Sequence, residues 1–418
     1  MKLSLPKPLE AAVPIVSRLE ESGYEAVFVG GAVRDTVIGR PVKDVDIATS
    51  ARPEQVMALF PKCIPTGLRH GTITIVHEGE TYEVTTYRQE SAYEDYRKPS
   101  GVAYITSLEG DLLRRDFTIN AMALRNDGSV FDPFNGAGDI ERRCIRCVGD
   151  ADARFQEDAL RMMRAVRFIA VYGYQPAVST WKALRKHREL MRHIAMERVQ
   201  AELDKMLAGS DPRRALVWLH ASGLLHKMKE PLPLTEYMRV DSTRYGLVEQ
   251  LADLDCRWAA ALLDSAIPSA IADESLRLLK LSNNRRLRII GIMRMHEEAL
   301  AAANNEGADW WAETVIRDGK QLAEDWLLVE SAIHASAVTP IDLKILKAQL
   351  NEFPILTLKQ LDMNGRVLAQ RLRKPAGPWV SRCLHRLLVS VAGGKLVNER
   401  EKLLMQAELW DKEDKSDE

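Results

Sequence analysis

Gly30-Gly31-Ala32-Val33-Arg34-Asp35, followed by Lys43-Asp44-Val45-Asp46-Ile47, is the stretch on which the reading of this chain turns. The apolar Ala26 to Val29 before it is strand-like, and Ala32 to Ile38, ended by Gly39, is helical, so the paired glycines make a strand-to-helix turn. Glycine lets backbone N–H groups come close to a phosphate, and the helix N-terminus behind it favours negative charge. Gly30 and Gly31 are therefore candidate nucleotide contacts, and Arg34, one turn into the helix, can reach a triphosphate. In a strand from Asp44 to Ile47, residues two apart share a face, so both carboxylates point one way while Val45 and Ile47 face the core. Such neighbours repel unless a cation neutralises them, and Mg²⁺ prefers hard oxygen ligands. Alone, Asp-x-Asp reads as a solvated strand end and the glycines as a tight turn. Glycine turn, arginine and paired acids within 17 residues are hard to explain together as packing.

Working outward, Thr72 to Val76 and Tyr82 to Tyr87 flank Glu78-Gly79-Glu80 as a hairpin. This places Glu83 near the aspartates, and three acids on adjacent strands can hold the metals of an in-line phosphoryl transfer. Val130 to Asp132 and Cys144 to Val148 are shorter strand candidates, and Pro53 to Phe60 a helix. From Phe155 onward apolar residues recur at helical spacing, with runs at Met196 to Leu207, Arg213 to Leu225, Leu247 to Ala266, Glu274 to Leu281 and Trp310 to Ala332. Breaks fall near 209–212, 230–235 and 334–341, and Trp410 to Glu418 reads as a frayed end. Glu90 to Gly110 reads as a long polar loop.

Composition narrows the class without choosing it. The 418 residues are 46% hydrophobic and 28% charged, which excludes a disordered or collagen-like chain. Lys and Arg number 58 against 59 Asp and Glu, so a nucleic-acid partner requires segregated basic residues rather than bulk charge. Five scattered cysteines suit a reducing compartment, and no apolar run approaches the ~20 residues of a membrane span. A cytoplasmic protein is expected, with no membrane association and no obligate protein partner. Cys144 and Cys147 lack a second pair or a His cluster, so a zinc site is not expected. His70 and His77 read as structural or loop residues.

The glycine and aspartate motifs, with Arg114-Arg115-Asp116-Phe117-Thr118-Ile119-Asn120-Ala121, Asp132-Pro133-Phe134-Asn135-Gly136 and Glu157-Asp158-Ala159-Leu160-Arg161-Met162-Met163-Arg164-Ala165-Val166-Arg167-Phe168, resemble the class II nucleotidyltransferases. The similarity is in particular to bacterial tRNA CCA-adding enzymes and their poly(A) polymerase relatives. These blocks span roughly residues 25–170, and Pro375 to Val380 is similar to the tail of the shorter enzymes of this kind. The resemblance implies an α+β, polymerase beta-like nucleotidyltransferase head with a small mixed sheet, then all-α domains in an elongated molecule. The expected divisions are a catalytic head (1–150), a nucleotide-recognition neck (151–210), a helical body (211–333) and a tRNA-binding tail (334–418).

It further implies CTP, ATP and tRNA as partners and a two-metal Mg²⁺ site on Asp44 and Asp46. Asp158 and Arg161 would select the base, with Arg115, Arg164 and Arg167 as further nucleotide contacts; Arg114 and Asp116 either touch the nucleotide or brace the site. Asp158, Arg161, Arg164 and Arg167 recur every three residues, so on one helix the first three share an arc of about 120°. Asp158 would then stand one turn from Arg161, where a pair can form. A carboxylate accepts from the cytosine amino group and an arginine donates to base-edge acceptors. In the family, a mobile loop at 90–110 switches the pocket from CTP to ATP. Between Asn364 and Asn398 there are seven basic residues and no acid; Arg371, Arg373, Lys374, Arg382 and Arg386 are the RNA contacts expected there. The alternatives are a poly(A) polymerase, a CC-adding or A-adding enzyme, and a catalytically inactive RNA-binding helical protein.

Overall fold

The structure, a computed structural model, describes residues 1–68, 71–90, 93–94, 98–99, 102–238, 248–302, 310–333 and 342–416. His70, the break at 334–341 and parts of the expected loop at 90–110 lie outside the described residues. The chain divides into two units: Met1–Thr235 with Leu278–Lys280, and Glu236–Arg277 with Leu281–Glu418.

In the first unit, helix α1 (Lys7–Glu21) buries Leu9, Ala12, Ile15, Val16 and Leu19, the spacing of one helical face. Strand β1 (Ala26–Val29) follows, wholly buried, then helix α2 (Gly31–Ile38), closed by Gly39 in the left-handed region. After β2 (Asp46–Thr49) and α3 (Pro53–Leu59) come β3 (Cys63–Gly67), β4 (Thr72–His77) and β5 (Glu80–Thr86). Glu78 and Gly79 both take positive φ, which suits the tight turn joining β4 to β5.

Seven strands form one mixed sheet in the order Val130–Phe131, Ala123–Leu124, β1, β2, β5, β4, β3. β1 is antiparallel to β2 with Val29 opposite Asp46, and β2 runs parallel to β5 with Asp46 beside Glu83. The small mixed sheet is as the sequence implies, but β2 starts at Asp46 rather than Asp44. Asp44 and Val45 precede the ladder, so alternation within one strand does not set the direction of Asp44. Val27, Val29, Ala48, Leu112, Ala121 and Val148 fill the core on one side of the sheet. The stretch 90–110 is not a plain loop. Arg88–Glu90 pairs with Val102–Tyr104, Tyr93–Glu94 pairs with Lys98–Pro99, and the helix Leu108–Leu113 is capped by Ser107.

The helical run after Phe155 is broken. Ala151–Glu157 ends at Asp158, which is extended (φ −136°, ψ 104°), and a new helix runs from Leu160 to Tyr172. Asp158 Oδ1 accepts the Leu160 N–H at 3.0 Å and so caps the second helix in place of continuing the first.

The second unit is helical. The expected run Trp310 to Ala332 is two helices, Trp310–Asp318 and Lys320–Ile333, parted at Gly319, whose φ of +90° no continuous helix accommodates. Leu368, Leu387, Leu388, Val391, Leu403 and Leu404 make a core among Gly365–Leu372, Pro378–Ala392 and Arg400–Ser416. That last helix runs to Ser416, within the stretch expected to fray; Asp411 pairs with Lys374 and Trp410 stacks on Arg386. Among the described residues no helix is long and apolar enough to cross a membrane.

Candidate nucleotide and metal site

Gly30 takes φ 70°, ψ −133°, a conformation open to glycine and little else. A Cβ there would stand 3.3 Å from Asp46 Oδ2 and 3.4 Å from Arg115 Nη1, and one on Gly31 would stand 3.4 Å from Arg34 Nη2. Side chains are thus absent where three charged groups converge. These groups open onto a cleft of about 370 Å³ that is also lined by Arg114, Asp116, Asn120, Asp158, Arg161, Arg164 and Arg198. Every nucleotide-contact candidate from the sequence lines it except Arg167. Arg167 instead pairs with Glu202 at 2.7 Å and stacks on Phe168.

The cations of the cleft are pre-set by buried acids. Asp111 accepts from Arg114 at 2.8 Å, from Arg115 at 3.2 Å and from the Arg88 N–H at 3.2 Å. Burial pushes its carboxyl up, but the two arginines outweigh that and hold it below the usual range. Asp116 accepts from Arg164 at 2.7 Å, from Asn120 at 3.0 Å and from its neighbour's N–H at 2.8 Å. Burial opposes ionisation here too, and Arg164 and Asn120 overcome it, bringing Asp116 to about 2. Asn120 Oδ1 in turn accepts from Arg34 Nη1 at 2.6 Å, while Asp35 accepts from Arg34 Nε and Nη2, both at 3.0 Å.

The two residues expected to select the base, Asp158 and Arg161, do not stand as one turn of a single helix. Because the helix breaks at Asp158, that residue and Arg161 do not face each other along one helix. Asp158 Oδ2 accepts from Arg198 at 2.8 Å, and Arg161 donates to Glu157 at 2.5 Å and to the carbonyls of Arg154 and Arg114 at 3.1 and 2.8 Å. Both side chains are gripped from behind: Arg161 by Glu157 and the Arg114 carbonyl, which the quoted blocks contain, and Asp158 by Arg198, which no motif marks out. Asp111 carries a signal that could have found it, since it stands three and four residues before Arg114 and Arg115, which follow the end of its helix. Arg198 carries none, because 40 residues separate it from Asp158.

Asp46 also lines a second hollow of about 780 Å³, with Asp44, Glu80, Glu83, Lys7 and Lys43. Burial raises the Asp46 carboxyl above its ordinary range, and the charge of Glu83 adds to the rise, offset in part by Arg115 and reinforced by Asp44. A carboxyl whose ionisation is opposed by burial and by neighbouring acids is one that a hard divalent cation would stabilise in its charged form. Among the described residues no three His, Cys, Asp or Glu side chains gather into one cation-binding group.

A glycine-lined anion cradle beside paired acids on a small mixed sheet defines a nucleotidyltransferase head. Residues 26–146 match the Poly A polymerase head domain, 173–233 the RNA and SrmB-binding site of polymerase A, and 249–407 tRNA nucleotidyltransferase domain 2. The chain is 42% identical to the CCA-adding enzyme of Geobacillus thermodenitrificans and 40% to that of Geobacillus stearothermophilus, covering 95% of this chain and 96% of each relative. It is also similar to the crystal structure of the Bacillus stearothermophilus CCA-adding enzyme in complex with CTP (TM-score 0.84, 36% identity, 99% of this chain and 100% of that one). The chain belongs to the CCA-adding enzyme family.

Proposed function

We propose that the protein adds C, C and A to the 3′ end of tRNA from CTP and ATP, with release of pyrophosphate and without a nucleic-acid template. The observation that carries this reading is the sharing of Asp46 between the two hollows. One is lined by Gly30, Gly31, Arg34 and Arg115, with Asp158 and Arg161; the other is lined by Asp44 and Glu83. In-line transfer needs attacking and leaving oxygens on opposite sides of the phosphorus, and two hollows that share Asp46 would give each its own space. Gly30 and Gly31 admit the triphosphate to backbone distance, and Arg34 and Arg115 balance its charge. Asp158, held by Arg198, accepts from the base, and Arg161, held by Glu157, donates to it.

Asp44 and Asp46, with Glu83 beside them, would hold Mg²⁺. The metal would supply a lowered pKa for the RNA 3′-hydroxyl and charge stabilisation at the α-phosphate. We assign the activity to the cytoplasm, where the five free cysteines would stay reduced. Incubating the protein with tRNA lacking its 3′ end, with CTP and ATP singly and together, tests the whole reading. CTP alone should add two residues and both nucleotides three, whereas an open-ended A tail would overturn it.

Base selection makes a separate expectation. Arg161→Ala should cost about 1–3 kcal/mol of discrimination, as for a bidentate base contact. GTP and UTP should enter in competition assays, and rejection as strict as in the wild type would sink the template reading.

In the tail, Arg371 donates to Glu408 at 2.6 Å, Lys374 pairs with Asp411 and Arg386 stacks on Trp410. The segment lacks acids of its own, but the last helix supplies them. Arg366, Arg373 and Arg382 are exposed and make no ion pair among the described residues, so they are the better phosphate contacts. Changing all three to alanine should weaken tRNA binding and flatten its salt dependence by about 0.9 per lost phosphate contact. CTP affinity should be unchanged, as filter binding across a KCl series would show.

A further inference from the structure

We propose that Tyr172 is a positioning residue for nucleotide binding: its ring, held between Arg34 and Arg40 with its hydroxyl on Asp35, fixes the Arg34 guanidinium where the triphosphate lies. The inference rests on the reading above, in which Arg34 contacts the phosphates. Tyr172 is the last residue of the helix Leu160–Tyr172 and does not line the cleft, so whatever it does for the nucleotide it does through a neighbour.

The Arg34 carbon Cζ lies 4.8 Å from the Tyr172 ring centroid, and that of Arg40 lies 4.7 Å from it. The Tyr172 hydroxyl donates to Asp35 Oδ1 at 3.3 Å, the oxygen that also accepts from Arg34 Nε. Burial pushes the hydroxyl up to about 12, so it stays a donor at neutral pH. Phe168, stacked on Tyr172 at 5.9 Å, extends the aromatic surface under Arg34 at 5.5 Å. Arg40 Nη2 donates to the Val171 carbonyl at 3.2 Å, which ties the loop after α2 to the end of the same helix.

Asn120 and Asp35 hold the edges of the Arg34 fork, and Phe168 and Tyr172 hold its faces. An arginine so confined loses little further freedom when an anion binds, which is the physical source of tight binding at a preorganised site. Removing the ring would take away the aromatic surface that both like charges, Arg34 and Arg40, lie against. Arg34 would then have a free face and a reason to turn away from Arg40.

The test is a set of dissociation constants for CTP, ATP and CMP, with steady-state kinetics, on the wild type, Tyr172→Phe, Tyr172→Leu, Arg34→Ala and Arg34→Ala/Tyr172→Leu. Tyr172→Leu should raise Kd and KM for both triphosphates about tenfold, with kcat within about twofold and CMP binding unchanged, because CMP lacks the outer phosphates. Tyr172→Phe keeps the aromatic faces and should recover most of the affinity. In the Arg34→Ala background the Leu change should add nothing. Wild-type triphosphate affinity in Tyr172→Leu, an equal loss for CMP, or additive losses in the double variant would each overturn the proposal. Should the Leu variant not fold, Tyr172→Met, of similar bulk without a ring, carries the same expectation. Loss of affinity in Arg34→Ala but not in the Tyr172 variants defeats this inference alone. Undiminished CTP binding in Arg34→Ala defeats the phosphate reading beneath it.

Discussion

Asp46→Asn is expected to abolish nucleotide incorporation and to raise the melting temperature of the metal-free protein. The activity loss follows from its place in both hollows. Asparagine keeps the shape but removes half of the carboxylate pair that would hold Mg²⁺, and several kcal/mol of transition-state stabilisation correspond to about three or more orders of magnitude in rate. The stability gain follows from the direction of its pKa. Burial, Glu83 and Asp44 raise Asp46 in the folded state despite Arg115. Between the unfolded value and the raised one, the folded chain holds a proton that the unfolded chain has released. Stability therefore falls as pH rises through that window and stays reduced at neutral pH. A neutral asparagine removes the penalty. Adding MgCl₂ should raise the melting temperature of the wild type by mass action and leave the variant unmoved. An asparagine variant that incorporates CMP within tenfold of the wild type, or melts lower without metal, would contradict the assignment.

Asp116→Ala is expected to destabilise the head by about 2–4 kcal/mol, because it leaves the half-buried Arg164 without its carboxylate. It also removes the acceptor for Asn120, which holds Arg34, so triphosphate affinity should fall in whatever protein remains folded. Urea midpoints give the stability loss. Adding Arg164→Met in the same chain should return a large part of it, since the unpaired charge then disappears. The pH dependence has the opposite sign to that of Asp46. With Asp116 held at about 2, its stabilisation is complete above the unfolded carboxylate range and is lost as pH falls from about 4 toward 2, amounting to about 2 kcal/mol. The alanine variant should lack that acid limb. Additive losses in the Asp116/Arg164 cycle would mean the two side chains do not act as a unit.

Much of this arrangement is legible in the order of residues alone, because its signals are local. A glycine turn, an acid repeat and a change from alternating to helical periodicity are short-range features, and they locate the head and the helical remainder; of the cleft lining they reach Gly30, Gly31, Arg34 and Asp46, and the family resemblance of the later blocks covers the rest except Arg198. What escapes depends on partners remote in sequence. The three-residue spacing of Asp158 matches an arginine-rich helix, yet its carboxylate caps that helix from outside and is claimed by Arg198. Asp44 matches strand alternation, but the ladder begins at Asp46. The tail basics look unopposed because Glu408 and Asp411 lie beyond the acid-free segment from Asn364 to Asn398. Tyr172 carries no motif at all; two arginines from another helix and its following loop give it meaning.

The break at Asp158 also bears on how such a protein can drift over generations. One residue is at once the plug that starts a helix and, in the function proposed above, a tooth of the base-reading surface, so the helix cannot be re-indexed without pulling that tooth. A single codon gained or lost between Asp158 and Arg161 would swing every downstream arginine by about 100°. Point changes can accumulate along the helical remainder of the chain, while Asp158, Arg161 and Arg164, which line the cleft together, would tolerate no frame slippage.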